Sequence, residues 1–100
     1  MSTSQAEITG ASALSVRVTD LDLSVDLSDG RTITVPVAWF PRIAMGTQQE
    51  RENWSLIGGG HGIHWPNLDE DISVESLLTG QRSRERASSL RKWMENRGVR

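Results

Sequence analysis

Three features of this 100-residue chain predict a single α+β domain. Its first third alternates apolar and polar residues in three short runs. Glycine and proline punctuate the middle, and the last 20 residues carry an apolar stripe at helical spacing. Period-two alternation marks a strand with one face on a core, and a stripe recurring every three to four residues marks an amphipathic helix. The expected architecture is a small antiparallel β-meander with short helices and a C-terminal amphipathic helix packed against it. One modest core suits this length. The domain is expected over residues 13–100, including the basic C-terminal helix. It follows a flexible N-terminus, residues 1–12, whose small polar residues have no period.

The first run presents Leu14, Val16 and Val18 to one side, the second Leu23, Val25 and Leu27, and the third Ile33, Val35 and Val37. Thr19-Asp20 separates the first two. Ser28-Asp29-Gly30 separates the next two, a strong hairpin signal because glycine accepts positive φ. Pro36 and Pro41 bracket Trp39-Phe40 and end regular pairing, and Pro41 suits the first position of a helical turn reaching Met45. Thr47-Gln48-Gln49-Glu50 matches a capping box, in which hydroxyl and carboxylate reciprocally satisfy free backbone donors. A short helix over about 48–53 follows from it. Trp54, Leu56 and Ile57 open another extended segment, which Gly58-Gly59-Gly60 interrupts and which resumes at Ile63-His64-Trp65 before Pro66 stops it.

Asp69, Glu70 and Asp71 then precede Ile72, Val74, Leu77 and Leu78, whose spacing predicts a helix ended by Gly80. Acids ahead of a helix favour its positive end by ~0.3–1 kcal/mol each. Ser83 is placed to cap the last helix, which runs to about Asn96 with Gly98 beyond it. Ala87, Leu90, Trp93 and Met94 form its narrow apolar stripe.

Charge divides the chain unevenly. Residues 1–80 hold 4 basic and 11 acidic side chains, a balance of −7, whereas residues 81–100 hold 7 basic and 2 acidic, a balance of +5. Such asymmetry marks either a tail that docks on its own body or one that meets a partner. No segment approaches the roughly 18 apolar residues of a membrane span. The N-terminus has neither the basic start nor the apolar run of a signal peptide, so a cytoplasmic location is expected. The chain has no cysteine, which excludes disulfides, a thiol nucleophile and thiolate metal ligation.

The motifs that would carry chemistry are incomplete. The glycines at 58–60 and 62 lack the Lys and Ser/Thr of a phosphate-binding loop and are not followed by a helix, so they read as a tight turn or a close backbone approach. His61 and His64, three apart in an extended segment, point to opposite faces and make a poor pair of metal ligands with Asp69 and Asp71. No serine lies in a nucleophile elbow. Four tryptophans are much to bury in so small a domain, and Trp39 or Trp93 is expected to be only half covered.

The runs W-F-P-R-I at 39–43, N-W-S-L-I-G-G-G at 53–60 and G-I-H-W-P-N-L-D-E-D-I-S-V-E-S-L-L at 62–78 resemble a bacterial family catalogued as domain of unknown function 2442. The tail S-L-R-K-W-M-E-N-R at 89–97 is similar to its longer members. Asn67 stands where many members carry Asp. The resemblance implies a compact α+β domain and brings no catalytic residues with it. It also implies a neighbour, since members are often encoded beside another short protein of a kind suspected to be a toxin.

The functional expectation is a small non-catalytic protein-binding module, antitoxin-like or regulatory, that grips a small protein or a second copy of itself. The contact residues would be Trp39, Arg84, Arg91, Trp93 and Arg97, with Arg84, Arg91 and Arg97 lacking an internal partner. No cofactor or metal is expected. A second reading is a nucleic-acid-binding regulator using Arg82, Arg84, Arg86, Arg91 and Lys92 on phosphates. The acidic body would keep duplex DNA binding weak. A third is an enzyme centred on His64 and the Asp69–Asp71 triplet.

Overall fold

The computed structural model describes residues 10–98. The three alternating runs form a meander, β1 (Ala13–Val18), β2 (Asp22–Leu27) and β3 (Thr32–Pro36), antiparallel in the order β1-β2-β3. Gly30, at φ 95°, makes the β2–β3 turn, and Asp29 accepts a hydrogen bond from the Arg31 N–H at 3.1 Å. Leu23, Val25 and Leu27 all face the core from β2.

The first strand departs from simple alternation. Ala13 opposes Leu27 and Ser15 opposes Asp26, so two residues of β1 advance against one of β2. Leu14 is the extra residue of this bulge. It turns to solvent, 59% exposed, and Ala13 takes the core position expected of it. Of the segment expected to be flexible, residues 1–9 lie outside the described residues. Ala11 is buried, the Ser12 N–H donates to Ser28 Oγ at 3.0 Å, and the Ser12 carbonyl accepts from the Ser28 N–H at 2.8 Å.

After β3, Val37 stays buried in a 3-10 turn (Val37–Trp39), and α1 (Pro41–Met45) starts at the proline, as its fixed φ favours. The capping box of α2 (Gln48–Glu52) is complete: the Glu50 N–H donates to Thr47 Oγ1 at 3.1 Å, and the Thr47 N–H to Glu50 Oε1 at 2.9 Å.

A second antiparallel sheet then forms from β4 (Ser55–Ile57), β5 (Gly62–Trp65) and β6 (Glu70–Ser73). Here the acidic triplet does not lead a helix. Asp69 adopts φ 51°, a left-handed conformation that aspartate tolerates better than most residues, and the chain reverses there. Ile72 therefore lies opposite Ile63 in a strand. The helix, α3 (Val74–Leu78), begins later, with Ser73 as its cap accepting from the Ser76 N–H at 3.1 Å.

The two sheets meet at the glycine turn. A Cβ on Gly60 (φ 91°) would stand 2.9 Å from the Ser12 Cβ and 3.1 Å from the Ala13 carbonyl. The turn thus presses against the start of β1 as only glycine allows. Trp65 is fully buried, and its Nε1–H donates to the Arg51 carbonyl at 3.0 Å. The Arg51 side chain is itself buried. Nε donates to the Ile43 carbonyl at 3.0 Å, Nη2 to the Ala44 carbonyl at 2.7 Å and Nη1 to Asp20 Oδ1 at 2.8 Å. It closes the C-terminal end of α1, whose last carbonyls have no partner within the helix. Among the described residues no helix is long and apolar enough to cross a membrane.

Candidate functional site

The C-terminal arm, residues 81–86, leads into α4 (Ala87–Asn96). Ser83 does not cap α4. Its Oγ accepts from the Glu85 N–H at 3.2 Å, and Arg86 occupies the cap position with no side-chain bond. The apolar stripe also shifts. Ala87 is exposed, while Leu90, Trp93, Met94 and Arg97 are partly covered, and no residue of α4 is fully buried. Apolar burial alone therefore does not hold this helix.

Cations do much of the holding. The Arg42 guanidinium, on α1, grips Glu85 through Nε at 2.8 and 2.9 Å and through Nη2 at 2.5 Å. Arg42 Nη1 donates to the Asp69 carbonyl at 3.0 Å, and the guanidinium carbon stands 5.2 Å from the Trp93 ring centre. Arg97 stacks on Trp93 as well, at 4.6 Å. Its Nη2 donates to Glu50 Oε1 at 2.9 Å and its Nη1 to the Asn67 carbonyl at 3.1 Å. The expectation that Arg97 lacks an internal partner is thus corrected: the last turn of α4 delivers it to the capping box of α2. Upstream, Arg82 lies over Trp39 at 4.9 Å, and the Ser83 N–H donates to the Trp39 carbonyl at 3.0 Å. Trp39 and Trp93 are both half-covered, by guanidinium groups of the same chain.

These contacts shift the titration of the acids involved. The Arg42 hydrogen bonds hold the Glu85 carboxyl below the usual carboxylate range, and Arg97, then the Thr47 backbone, do the same for Glu50. Glu70 moves the other way. It sits at a core-facing position of β6 opposite Trp65, and burial, opposed by Arg42 and reinforced by Glu85, pushes it up to about 7.

What remains free is informative. Arg84, Arg86, Arg91 and Lys92 are all exposed and make no ion pair or hydrogen bond through their side chains among the described residues. Of the residues expected at a partner surface, Arg84 and Arg91 thus stand open to solvent, while Trp39, Trp93 and Arg97 anchor the arm. Sequence reasoning missed Arg42 and Glu85, which are 43 positions apart and carry no shared motif.

His64 lies on β5 of the second sheet, and His61 lies in the glycine turn that precedes that strand. His64 Nδ1 is 2.5 Å from Asp71 Oδ1, whereas His61 is exposed in the turn and its carbonyl accepts from the Val74 N–H at 2.9 Å. Asp69, Glu70 and Asp71 do not act as one carboxylate group. Asp69 is at the turn, Glu70 faces inward and Asp71 faces outward to His64. Among the described residues no three acids or histidines are arranged to hold a metal ion. A shallow polar groove lined by Thr47, Gln49, Glu50, Asn53 and Asn67 adjoins Arg97.

Residues 13–83 match a family described as "Protein of unknown function (DUF2442)". No curated protein matches the chain. A crystal structure of a protein of unknown function from Rhodospirillum rubrum is similar over 75% of this chain and 93% of its own, at 25% identity and a TM-score of 0.65. The solution structure of an uncharacterised protein from Chromobacterium violaceum is similar over 88% of this chain and 77% of its own, at 21% identity and a TM-score of 0.62, a likeness of fold.

Proposed function

The chain belongs to this family of unknown function, and from that premise we propose that it is a protein-interaction module. Its arm and α4 dock the acidic surface of a small partner protein. The observation that carries the reading is the division among its cations. Arg42, Arg82 and Arg97 fasten the arm to the body, while Arg84, Arg86, Arg91 and Lys92 are presented to solvent with no partner among the described residues. A charged face held on a fixed scaffold steers association and sets partner choice. An antitoxin-like or regulatory role, with the partner encoded alongside, is the form of this function that the family resemblance implies. The family match ends at residue 83, so α4 lies beyond the matched region.

The test is charge reversal at Arg84 and Arg91 together, with binding to the product of the adjacent gene measured by calorimetry. The double variant should bind at least about tenfold more weakly, as a loss of about 1.4 kcal/mol implies, at an unchanged urea midpoint. Equal affinity in variant and native protein would refute the reading. So would tight, sequence-specific duplex DNA binding at physiological salt, whose steep salt dependence would mark phosphate contacts instead.

A further inference from the structure

The second sheet, β4-β5-β6, aligns three side chains that the arm does not use. The strand register sets Ser55 of β4 opposite His64 of β5, and His64 opposite Asp71 of β6. One row across the sheet therefore reads serine, histidine, aspartate. Directly opposed residues share a face, with Cβ atoms about 4.5–5.5 Å apart. This face is the outer one, because the neighbouring row, Leu56, Ile63 and Ile72, turns the other way, and Ile63 and Ile72 are core residues.

The chemistry along the row is directional. Asp71 Oδ1 lies 2.5 Å from His64 Nδ1, and an ionised carboxylate can only accept, so the ring proton belongs on Nδ1. Nε2, diverging from Asp71, is then the basic nitrogen. Ser55 stands on the strand on the other side of His64, exposed and with no hydrogen bond from its hydroxyl among the described residues. Beside the row is an apolar shelf. Ile57, two residues along β4 on the same face, lies over Gly62, where a Cβ would come within 2.9 Å of Ile57 Cγ1. Ile57 remains 44% exposed.

We infer that this row is an acyl-accepting site, in which Ser55 attacks a small ester whose apolar group rests on Ile57. Ser55 Oγ bonds to the ester carbonyl carbon while its proton passes to His64 Nε2. The carbon–oxygen bond to the leaving group then breaks, and the departing alcohol or phenol takes that proton. Water, deprotonated by the same nitrogen, returns Ser55 and releases the carboxylic acid. Ser55 and His64 touch the reacting atoms. Asp71 is a positioning residue that sets the tautomer and orientation of the ring. As apo geometry commonly leaves the nucleophile and base unbonded, rotation of the exposed Ser55 hydroxyl completes the pair when ester is present. The assignment goes beyond the interaction reading and uses none of the residues of the arm.

The experiment treats the full chain with p-nitrophenyl acetate, follows p-nitrophenol release, and locates the acetyl group by peptide mass spectrometry. Acetylation at Ser55 is expected. It should vanish in Ser55→Ala, slow by about 100-fold in His64→Ala as loss of a general base implies, slow in Asp71→Asn, and recover in Asp71→Glu, which restores a carboxylate. Ser55 is exposed and unbonded, so Ser55→Ala should unfold at the native urea midpoint. Acetyl groups confined to amines, or Ser55 modified equally fast in His64→Ala, would overturn the assignment.

Discussion

Arg51→Met removes a buried guanidinium while keeping most of its aliphatic volume. Two backbone acceptors lose an Arg51 donor. Among the described residues the Ala44 carbonyl, at 2.7 Å from Nη2, has no other hydrogen-bond donor, and the Ile43 carbonyl, at 3.0 Å from Nε, retains only the Gly46 N–H at 3.1 Å. A buried acceptor left unsatisfied costs about 1–3 kcal/mol, and a hydrogen bond to a charged group contributes about 1.5–3. The Ala44 bond is only partly buried, so its acceptor belongs near the middle of that range, and the still-bonded Ile43 acceptor near the bottom. Together they give about 3 kcal/mol. The ion pair with Asp20 adds little, since that carboxylate is 93% exposed and such pairs contribute about 0–1 kcal/mol. A small domain has only about 5–15 kcal/mol in all, so the loss is readily measured by urea unfolding with linear extrapolation. Asp20→Ala serves as the control and should cost under about 1 kcal/mol. Arg51→Met within about 1 kcal/mol of the native protein, or Asp20→Ala as damaging as Arg51→Met, would show that the carbonyls of α1 do not depend on this side chain.

Further outcomes follow from the same geometry. Trp65→Ala empties a fully buried site and orphans the Arg51 carbonyl that its indole N–H serves, so urea unfolding should register a loss of about 3–5 kcal/mol; native-like stability would contradict its anchoring role. Glu70, raised from 4.5 to about 7 by burial, keeps a proton in the folded chain between those values that the unfolded chain has released. Its contribution to stability is therefore fully present below 4.5, falls as pH rises through this window and is gone above about 7. Glu70→Gln should flatten the decline in urea midpoint between pH 5 and 7.5, and an unaltered decline would exclude Glu70 as its source. Arg97→Ala should free the last turn of α4, seen as faster amide hydrogen exchange over residues 90–96 with sheet protection unchanged; unaltered exchange there would contradict the anchoring contacts with Glu50 and Trp93.

The features legible in the sequence are those set by neighbours a few residues apart. The second and third strands, the Asp29-Gly30 turn, the start of α1 at Pro41 and the reciprocal bonds of Thr47 and Glu50 each depend on local dihedrals or on side chains within one turn. The departures share the opposite property. Leu14 continues the alternation of its own run, and only its pairing with β2 introduces the bulge that turns it outward. Residues 70–73 have helical spacing into α3, yet the reversal at Asp69 brings them within reach of β5, whose backbone groups they satisfy.

For the candidate surface the division is the same. The sequence by itself determined that the tail is a basic amphipathic helix carried by an acidic body, because charge and period are properties of the residues in order. It also led to the expectation that Trp39 or Trp93 would be only half covered. Which cations are free and which are bound was decided only by the tertiary structure. Glu50 meets Arg97 across 47 positions and Glu85 meets Arg42 across 43, contacts that no local pattern encodes. The row of Ser55, His64 and Asp71 exists for the same reason. Strand register, set by which faces bury Ile63 and Ile72, places on one face of one sheet three residues that in the chain are merely a serine, a histidine and an aspartate.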